Sequence, residues 1–220
     1  MVTLLDQFLF MALPYILLVL FFGIQAYRWV VNRFGWSARS SEIFEKQMLG
    51  VTAIPFHYAL IFLLVAHILG VISGNIFTRE LLQVFYSLAT IAGAVLVYAI
   101  AVSLARRIIV KEVRAMSTAE DYIILVFLLV IPSIGLYQYL VAGVFGIFPG
   151  VSLWIQGVFT MSPRVEIMAA LPLLNKLHMT LVMIFLCYWP FTKLVHMVTF
   201  PITYTYRRYQ PMRMHRKVIP

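Results

Sequence analysis

Residues 48–74 read MLGVTAIPFHYALIFLLVAHILGVISG, and this stretch decides the fold class. It contains no Asp, Glu, Lys or Arg, whereas two histidines, His57 and His67, interrupt the apolar side chains. About 20 apolar residues in a helix are enough to cross ~30 Å of hydrocarbon. The stretch therefore predicts a membrane-spanning helix with two imidazoles at membrane depth.

Four further apolar stretches make the 220-residue chain 63% hydrophobic and only 11% charged. A soluble domain is about half apolar and about a quarter charged, so the composition excludes a soluble globule and a disordered chain. The runs are continuous rather than alternating, which argues against a barrel. We expect an all-α membrane protein, with residues 1–220 forming one five-helix transmembrane domain that ends in a short basic tail, 203–220. The expected helices cover roughly residues 3–27, 48–74, 81–105, 122–146 and 172–202.

The basic residues predict the orientation of this bundle. The chain has 17 Lys and Arg residues but only 8 Asp and Glu residues. Of the 17 basic residues, 13 lie in the first and third connections and in the tail, and a fourteenth, Lys193, lies near the tail. Cytoplasmic loops collect Lys and Arg, so the excess indicates topology rather than nucleic-acid binding. We expect a multi-pass protein of the cell membrane with its N-terminus outside and its C-terminus cytoplasmic. A single cysteine, Cys187, excludes an internal disulfide and a cysteine-held iron–sulfur cluster.

Four of the five histidines lie within apolar stretches, namely His57 and His67 on the second and His178 and His196 on the fifth. Ionisable residues at membrane depth are rare and usually functional, although a single imidazole can simply bond to a neighbouring helix. Since the two stretches run in opposite directions, depth pairs His67 with His178 near the outside and His57 with His196 near the cytoplasm. Two such pairs match the axial ligands of two b haems. Zinc is a weaker interpretation, because it would also need carboxylates or cysteines at these depths.

Helical spacing supports these pairs unevenly. His178 and His196 are 18 residues apart, about five turns, so they share a face of one continuous helix. His57 and His67 are ten residues apart, which leaves them about 80° out of register on a straight helix. Pro55 is expected to bend the start of that helix.

Several segments resemble the gamma (cytochrome b) subunit of respiratory nitrate reductase. The similar segments are Phe56-His57-Tyr58 and Ala66-His67-Ile68-Leu69-Gly70 in its second helix, Arg106-Arg107 at the end of its third, and Leu177-His178, residues 190–196 and residues 201–210 in its fifth helix and tail. The resemblance implies that quinol, the substrate, is oxidised near the outer haem. It also implies that electrons pass through the inner haem to an iron–sulfur subunit and then to a molybdenum catalytic subunit, with the membrane quinone pool as donor.

The positive side chains near the inner haem are candidate partners for its propionates. These candidates are Lys193, Arg106, Arg107 and Arg39. The alternative is that the arginines only set the topology and that the Lys193 ammonium reaches the nearest headgroups.

A quinol site is expected beside the outer haem, lined by the start of the third helix and by the apolar fourth connection, where we expect a short helix around Trp154. Its polar candidates are Arg79, Glu80, Asn75 and Lys176. Alternatively, Arg79 and Glu80 form only a solvated pair in a turn. Many family members carry a lysine at the start of the third helix, where this chain has Thr78-Arg79-Glu80.

Three other functions compete with a respiratory nitrate reductase subunit. The same di-haem module could serve a heterodisulfide-reductase-like or sulfur-metabolism complex. A transporter with a histidine proton relay would contain no haem and often shows broken helices or internal repeats. A plain membrane anchor would keep electron transfer intact when the histidines are lost.

Overall fold

The computed structural model describes residues 2–31, 45–72, 78–142 and 148–197, and every regular element within these ranges is helical. Five helical segments are long and apolar enough to cross a membrane, which confirms an all-α protein with five candidate spans. Arg39, Asn75 and the expected tail lie outside the described residues. The elements are α1 Leu4–Gln7, a π-helical turn Phe8–Ala12, α2 Leu13–Val31, α3 Gln47–Ile72, α4 Arg79–Ile109, α5 Lys111–Met116, α6 Ala119–Leu140, α7 Phe148–Phe159, α8 Val165–Ala169 and α9 Leu173–Tyr188, followed by 3-10 turns at Trp189–Phe191 and Lys193–Val195.

Local side-chain bonds fix where two of the helices begin. Thr3 and Asp6 form a reciprocal capping box at α1, and Thr118 and Asp121 form the same motif at α6. Each box satisfies two backbone N–H groups that have no partner within the helix. This cap explains why α6 begins at Ala119, three residues before the start that hydrophobicity alone predicts.

The expected continuous helix over residues 172–202 is wrong, because α9 ends at Tyr188. Proline lacks the N–H that an α-helix needs and its ring clashes with the preceding turn, so Pro190 changes the backbone to a 3-10 turn. Thr192 is then extended and its hydroxyl accepts from the Leu194 N–H at 3.1 Å, which begins the second 3-10 turn. His196 follows that turn, so the five-turn register with His178 does not exist. Pro55, by contrast, lies inside the uninterrupted α3.

The long helices pack as a row. α3 packs on α4, α4 on α6, α6 on α9, and α9 on α2, whereas α3 and α9 have at most marginal direct contact in the described residues. α7 packs against α3, and the Trp154 indole on α7 donates to the Phe10 carbonyl of the first span at 2.9 Å. The two histidine-bearing segments are therefore not direct neighbours in the row, and α3 has α4 and α7 as its neighbours.

The two ends of the bundle are each held by ion pairs. At one end, here called the Arg106 end, Arg106 Nε donates to Glu45 Oε2 at 2.6 Å, and Arg106 is only 3% exposed. At the opposite end, here called the Asp6 end, Lys176 Nζ lies 3.0 Å from Asp6 Oδ1. The first pair joins α4 to the residues just before α3, and the second joins α9 to α1.

The Arg106–Glu45 pair makes stability depend on pH. The hydrogen bond from Arg106 holds the pKa of Glu45 below its ordinary value of about 4.3. A carboxyl group with a depressed pKa stabilises the fold fully at neutral pH and loses that contribution as pH falls through the depressed value. Glu45→Gln should therefore lower the melting temperature in detergent near neutral pH, and this difference should vanish under more acidic conditions.

The control is Glu112→Gln, which changes an exposed carboxylate on the neighbouring α5. Thermal unfolding of the three proteins between about pH 7 and about pH 3 tests the idea. A Glu45→Gln deficit that stays constant over this range would contradict it.

Candidate functional site

The two histidines of α3 lie on its accessible surface. Both His57 and His67 are exposed, while Ala59 of the same helix is buried in the core that α3 shares with α4 and α6. His57 lines a shallow groove with Ala53, Ile54, Tyr58 and Ile61, all on α3. The imidazoles are therefore available to a group outside the packed helical core.

Three of the four imidazoles bond to a backbone carbonyl through the same ring nitrogen. His57 Nδ1 contacts the Ala53 oxygen at 2.6 Å, His67 Nδ1 contacts Leu63 O at 2.7 Å, and His196 Nδ1 contacts Lys193 O at 2.7 Å. A carbonyl oxygen only accepts, so in a neutral ring Nδ1 carries the proton and Nε2 carries the lone pair. Metal-bound histidines commonly make this second bond, which fixes both tautomer and ring orientation.

His178 differs from the other three. Its Nδ1 is buried and has no hydrogen-bond partner in the described part of the chain. The ring packs on Gly135 of α6, where an added Cβ would lie 3.3 Å from His178 Cε1. His67 on α3 lies within electrostatic range of this ring. A buried nitrogen without a partner is unusual and is consistent with a site that takes up another group.

His57 and His196 both belong to the Arg106 end. His57 is on the first half of α3, whose entry is tied to Arg106 through Glu45, and His196 follows the 3-10 turns that succeed α9. Two imidazoles with Nε2 lone pairs are the groups that would hold a b-type haem. Among the described ranges, no three His, Cys, Asp or Glu side chains are grouped as a metal ion would require.

The candidate propionate partners are engaged with carboxylates. Arg106 binds Glu45, as described above, and Lys193 Nζ donates to Asp121 Oδ1 at 2.6 Å. Arg107 Nη2 lies 3.4 Å from the same Asp121 oxygen. The structure thus places all three at the Arg106 end, where the inner haem is expected.

Those candidate quinol residues that the structure describes lie at the opposite end. The α4 backbone begins at Arg79, whose side chain is outside the described residues. Glu80 is exposed and lines a shallow groove on α4 with Gln83, Val84, Ser87 and Leu88. Lys176 on α9 is paired with Asp6, and Asn175 beside it is 3% exposed with a buried Oδ1 that lacks a hydrogen-bond partner within the described ranges. A polar cluster therefore adjoins the His178 end of α9.

Sequence reasoning missed the acidic members of these clusters. Asp6, Glu45 and Asp121 were not among the candidates, although each pairs with a basic residue that was. Thr-x-x-Asp at residues 3–6 and 118–121 is a visible capping signature and could have located two of them. The pairing itself joins residues 170 and 72 positions apart, which no local pattern reveals.

Comparison with known proteins agrees with this architecture. Residues 6–215 match the family model described as nitrate reductase gamma subunit. The chain is 28% identical over 213 residues to the nitrate reductase gamma chain of Bacillus subtilis, covering 92% of this chain and 96% of that protein. It is 27% identical over 231 residues to the respiratory nitrate reductase 2 gamma chain of Escherichia coli, covering 98% of this chain and 100% of that one.

A relative with a different description also matches. This is the Hdr-like menaquinol oxidoreductase cytochrome b-like subunit of Archaeoglobus profundus, which is 28% identical over 162 residues. The match covers 69% of this chain and 47% of that protein. Together with the five apolar spans, the comparisons support a multi-pass membrane protein.

Gly135 gives the His178 site a direct test. A valine there would place its Cβ 3.3 Å from His178 Cε1 and add two methyl groups, which must displace the ring. We expect Gly135→Val to reduce the haem bound per chain by roughly half, since only one ligand pair would be disturbed. Gly23→Val is the control, because a Cβ there would meet nothing within 4 Å. Full haem content with an unchanged spectrum in Gly135→Val would contradict the placement.

Proposed function

The chain belongs to the nitrate reductase gamma subunit family, and we propose that it is the quinol-oxidising membrane subunit of a respiratory reductase, with two b haems as its cofactors. In this proposal it gives electrons to an iron–sulfur subunit, and a molybdenum subunit carries out the terminal reduction. The observation that carries the proposal is the Nδ1 contact of His57, His67 and His196 with backbone carbonyls, which leaves Nε2 as the ligand nitrogen. When bound, each haem would supply a one-electron carrier within the membrane.

The proposed ligand pairs are His67 with His178 and His57 with His196. In the first pair the two rings interact electrostatically, although His178 Nδ1 lacks the carbonyl bond that the other three imidazoles make. The second is supported by the position of both residues at the Arg106 end. The sparse direct contact between α3 and α9 agrees with both, because an iron porphyrin needs space between the helices that ligate it.

The chain's own residues would act mainly by positioning and by controlling protons. The carbonyl bonds of His57, His67 and His196 hold each of these ring protons on Nδ1. At the Asp6 end, quinol must bind in an apolar cleft that opens to lipid and must lose two protons as it is oxidised. Arg79, Glu80, Asn75 and Lys176 are the proposed polar groups at that cleft.

The proposed orientation makes this chemistry build a membrane potential. With the N-terminus outside, protons leave quinol on the outer side while two electrons move toward the cytoplasm. Moving one electron against ~100 mV costs about 2.3 kcal/mol, which quinol oxidation must supply. This orientation is supported by the 14 basic residues that fall on the expected cytoplasmic side.

A second candidate function keeps the haem sites and changes the complex. The similarity to the Hdr-like menaquinol oxidoreductase subunit favours a module that serves a heterodisulfide-reductase-like partner. Membranes that contain the whole complex distinguish the two, because nitrate should oxidise the reduced haems only if the partner is a nitrate reductase.

The haem pairing is tested by single and double histidine variants. The wild-type protein should show two low-spin b haems per chain in a reduced-minus-oxidised spectrum. His67→Ala, His178→Ala and the double variant should each lose the same one haem, since one lost axial ligand is enough to empty a site. His57→Ala and His196→Ala should lose the other. His215→Ala, a histidine of the basic tail, is the control and should retain both.

Two results would contradict the pairing. One is that His67→Ala and His196→Ala lose the same haem. The other is that a single histidine variant still holds two haems per chain. A wild-type protein without haem would instead favour the transporter interpretation.

Quinol oxidation is tested by turnover with an artificial acceptor, in variants that retain both haems. Glu80→Ala should reduce turnover because its carboxylate can take a proton from quinol, and Arg79→Ala and Lys176→Ala should reduce it because their positive charges can donate to the quinol oxygens. Exposed Glu112→Gln at the Arg106 end is the matched control. Unchanged turnover and inhibitor sensitivity in all three variants would move the site elsewhere, and proton release on the cytoplasmic side would overturn the proposed orientation.

A further inference from the structure

The segment that carries His196 cannot take its position from α9. The α-helix ends at Tyr188, and the backbone then passes through two 3-10 turns separated by the extended Thr192. Short 3-10 turns have poorer hydrogen-bond geometry than an α-helix, so this segment needs support from elsewhere. Two neighbouring helices provide that support.

The first support comes from α2. Arg28 in its last turn donates from Nη1 to the carbonyl oxygens of Pro190 and, at 3.0 Å, of Thr192. A guanidinium keeps its charge and presents several donors in a fixed plane. The carbonyls that the end of α9 leaves without helical partners are thus satisfied by a residue more than 160 positions away.

The second support comes from the first turn of α6 and centres on Lys193. The Lys193 backbone N–H donates to Glu120 Oε1 at 2.7 Å, and its ammonium donates to Asp121 Oδ1 at 2.6 Å. The Lys193 carbonyl accepts from His196 Nδ1 at 2.7 Å. One residue therefore links two carboxylates of α6 directly to the imidazole.

Asp121 is itself held rigidly. It is 5% exposed, and its Oδ2 accepts from the Thr118 N–H at 2.9 Å and from the Thr118 hydroxyl at 3.1 Å. Arg107 adds a second positive charge 3.4 Å from Oδ1. Charged hydrogen bonds of this kind are stronger and more directional than neutral ones, so the carboxylate offers Lys193 a fixed anchor.

We propose that Lys193 is a positioning residue for His196, and that Glu120 and Asp121 fix the orientation of this imidazole through it. The inference rests on the proposed function, in which His196 is an axial ligand of the inner haem. It gives Lys193 a role through its backbone carbonyl rather than as a counter-ion for a propionate. Bonds to the second ring nitrogen set ligand orientation and basicity, so the contact should tune the inner haem alone.

The experiment compares variants of this chain by haem content, by the low-spin signals in electron paramagnetic resonance, and by redox titration of each haem. Lys193→Met and Asp121→Ala should lower inner-haem occupancy or shift its resonance signal, with the outer-haem signal unchanged. Glu120→Ala should shift the same signal while it leaves the Thr118–Asp121 cap, and hence the start of α6, intact. Lys193→Arg should keep the inner-haem signal near its wild-type position, since its guanidinium can still pair with Asp121.

Two control variants separate positioning from stability and charge. Thr3→Ala weakens the equivalent capping box of α1 at the Asp6 end without touching the Lys193 network, so it should leave the inner-haem signal unshifted. Lys111→Ala removes one exposed positive charge at the same end, and it should also leave that signal unshifted.

Several outcomes would overturn the proposal. Unshifted inner-haem signals in Lys193→Met and Asp121→Ala would do so, and so would an equal loss of both haems, which would make the network merely structural. A shift in Lys193→Met that neither Glu120→Ala nor Asp121→Ala reproduces would make Lys193 a propionate partner instead. Wild-type protein without haem would overturn the proposed function along with this inference, whereas two haems with unmoved variants would overturn this inference alone.

Discussion

A polar group at hydrocarbon depth must find its partner within the protein, and the architecture of this chain follows from that constraint. Helices satisfy their own backbone over most of five apolar spans. The exceptions are the helix ends and the imidazoles. At α1 and α6 the ends are closed by Thr-Asp capping boxes, and at α9 the carbonyls released by Pro190 are taken up by Arg28. Three imidazoles also find a partner within the protein, since each donates from Nδ1 to a backbone carbonyl oxygen one turn earlier.

The order in which the helices pack determines how the histidine-bearing segments lie relative to one another. α3 packs on α4 and α7 whereas α9 packs on α6 and α2, so the two histidine-bearing segments are not direct neighbours in the described part of the chain. Direct packing of α3 on α9 would bury the imidazoles against aliphatic side chains and leave no room for a planar cofactor. Gly135 likewise leaves room on α6, because a residue without a side chain allows the His178 ring to approach the helix backbone.

The sequence was sufficient for the helical class, the number of candidate spans and the positions of the four histidines, because long apolar runs and ionisable residues within them are local signals. It was insufficient for the end of the fifth helix. Hydrophobicity continues past Pro190, and the count of whole turns between His178 and His196 treated the segment as one regular helix. It was also insufficient for Asp6, Glu45 and Asp121, because an acidic residue near a helix start has an obvious local role as a cap. Their tertiary partners depend on how the helices pack, which no local pattern contains.

The two lysines near the histidines of the last segment show how one local motif serves both ends of the bundle. Lys176 lies two residues before His178 and pairs with Asp6, while Lys193 lies three residues before His196 and pairs with Asp121. Both aspartates are the third helical residue of a Thr-Asp capping box, so each carboxylate is already held by backbone and hydroxyl donors. The ends differ in how far this anchoring reaches. In the 3-10 turn, the Lys193 carbonyl oxygen accepts from His196 Nδ1. The bond between Lys193 and Asp121 therefore also restrains the His196 ring. In the α-helix His178 Nδ1 has no hydrogen-bond partner among the described residues, and the ring is held by packing against Gly135 and by a bond to the Ile131 backbone, both on α6. The imidazole at the Arg106 end is therefore oriented through a residue that carboxylates of α6 anchor, and the one at the Asp6 end by direct contact with α6.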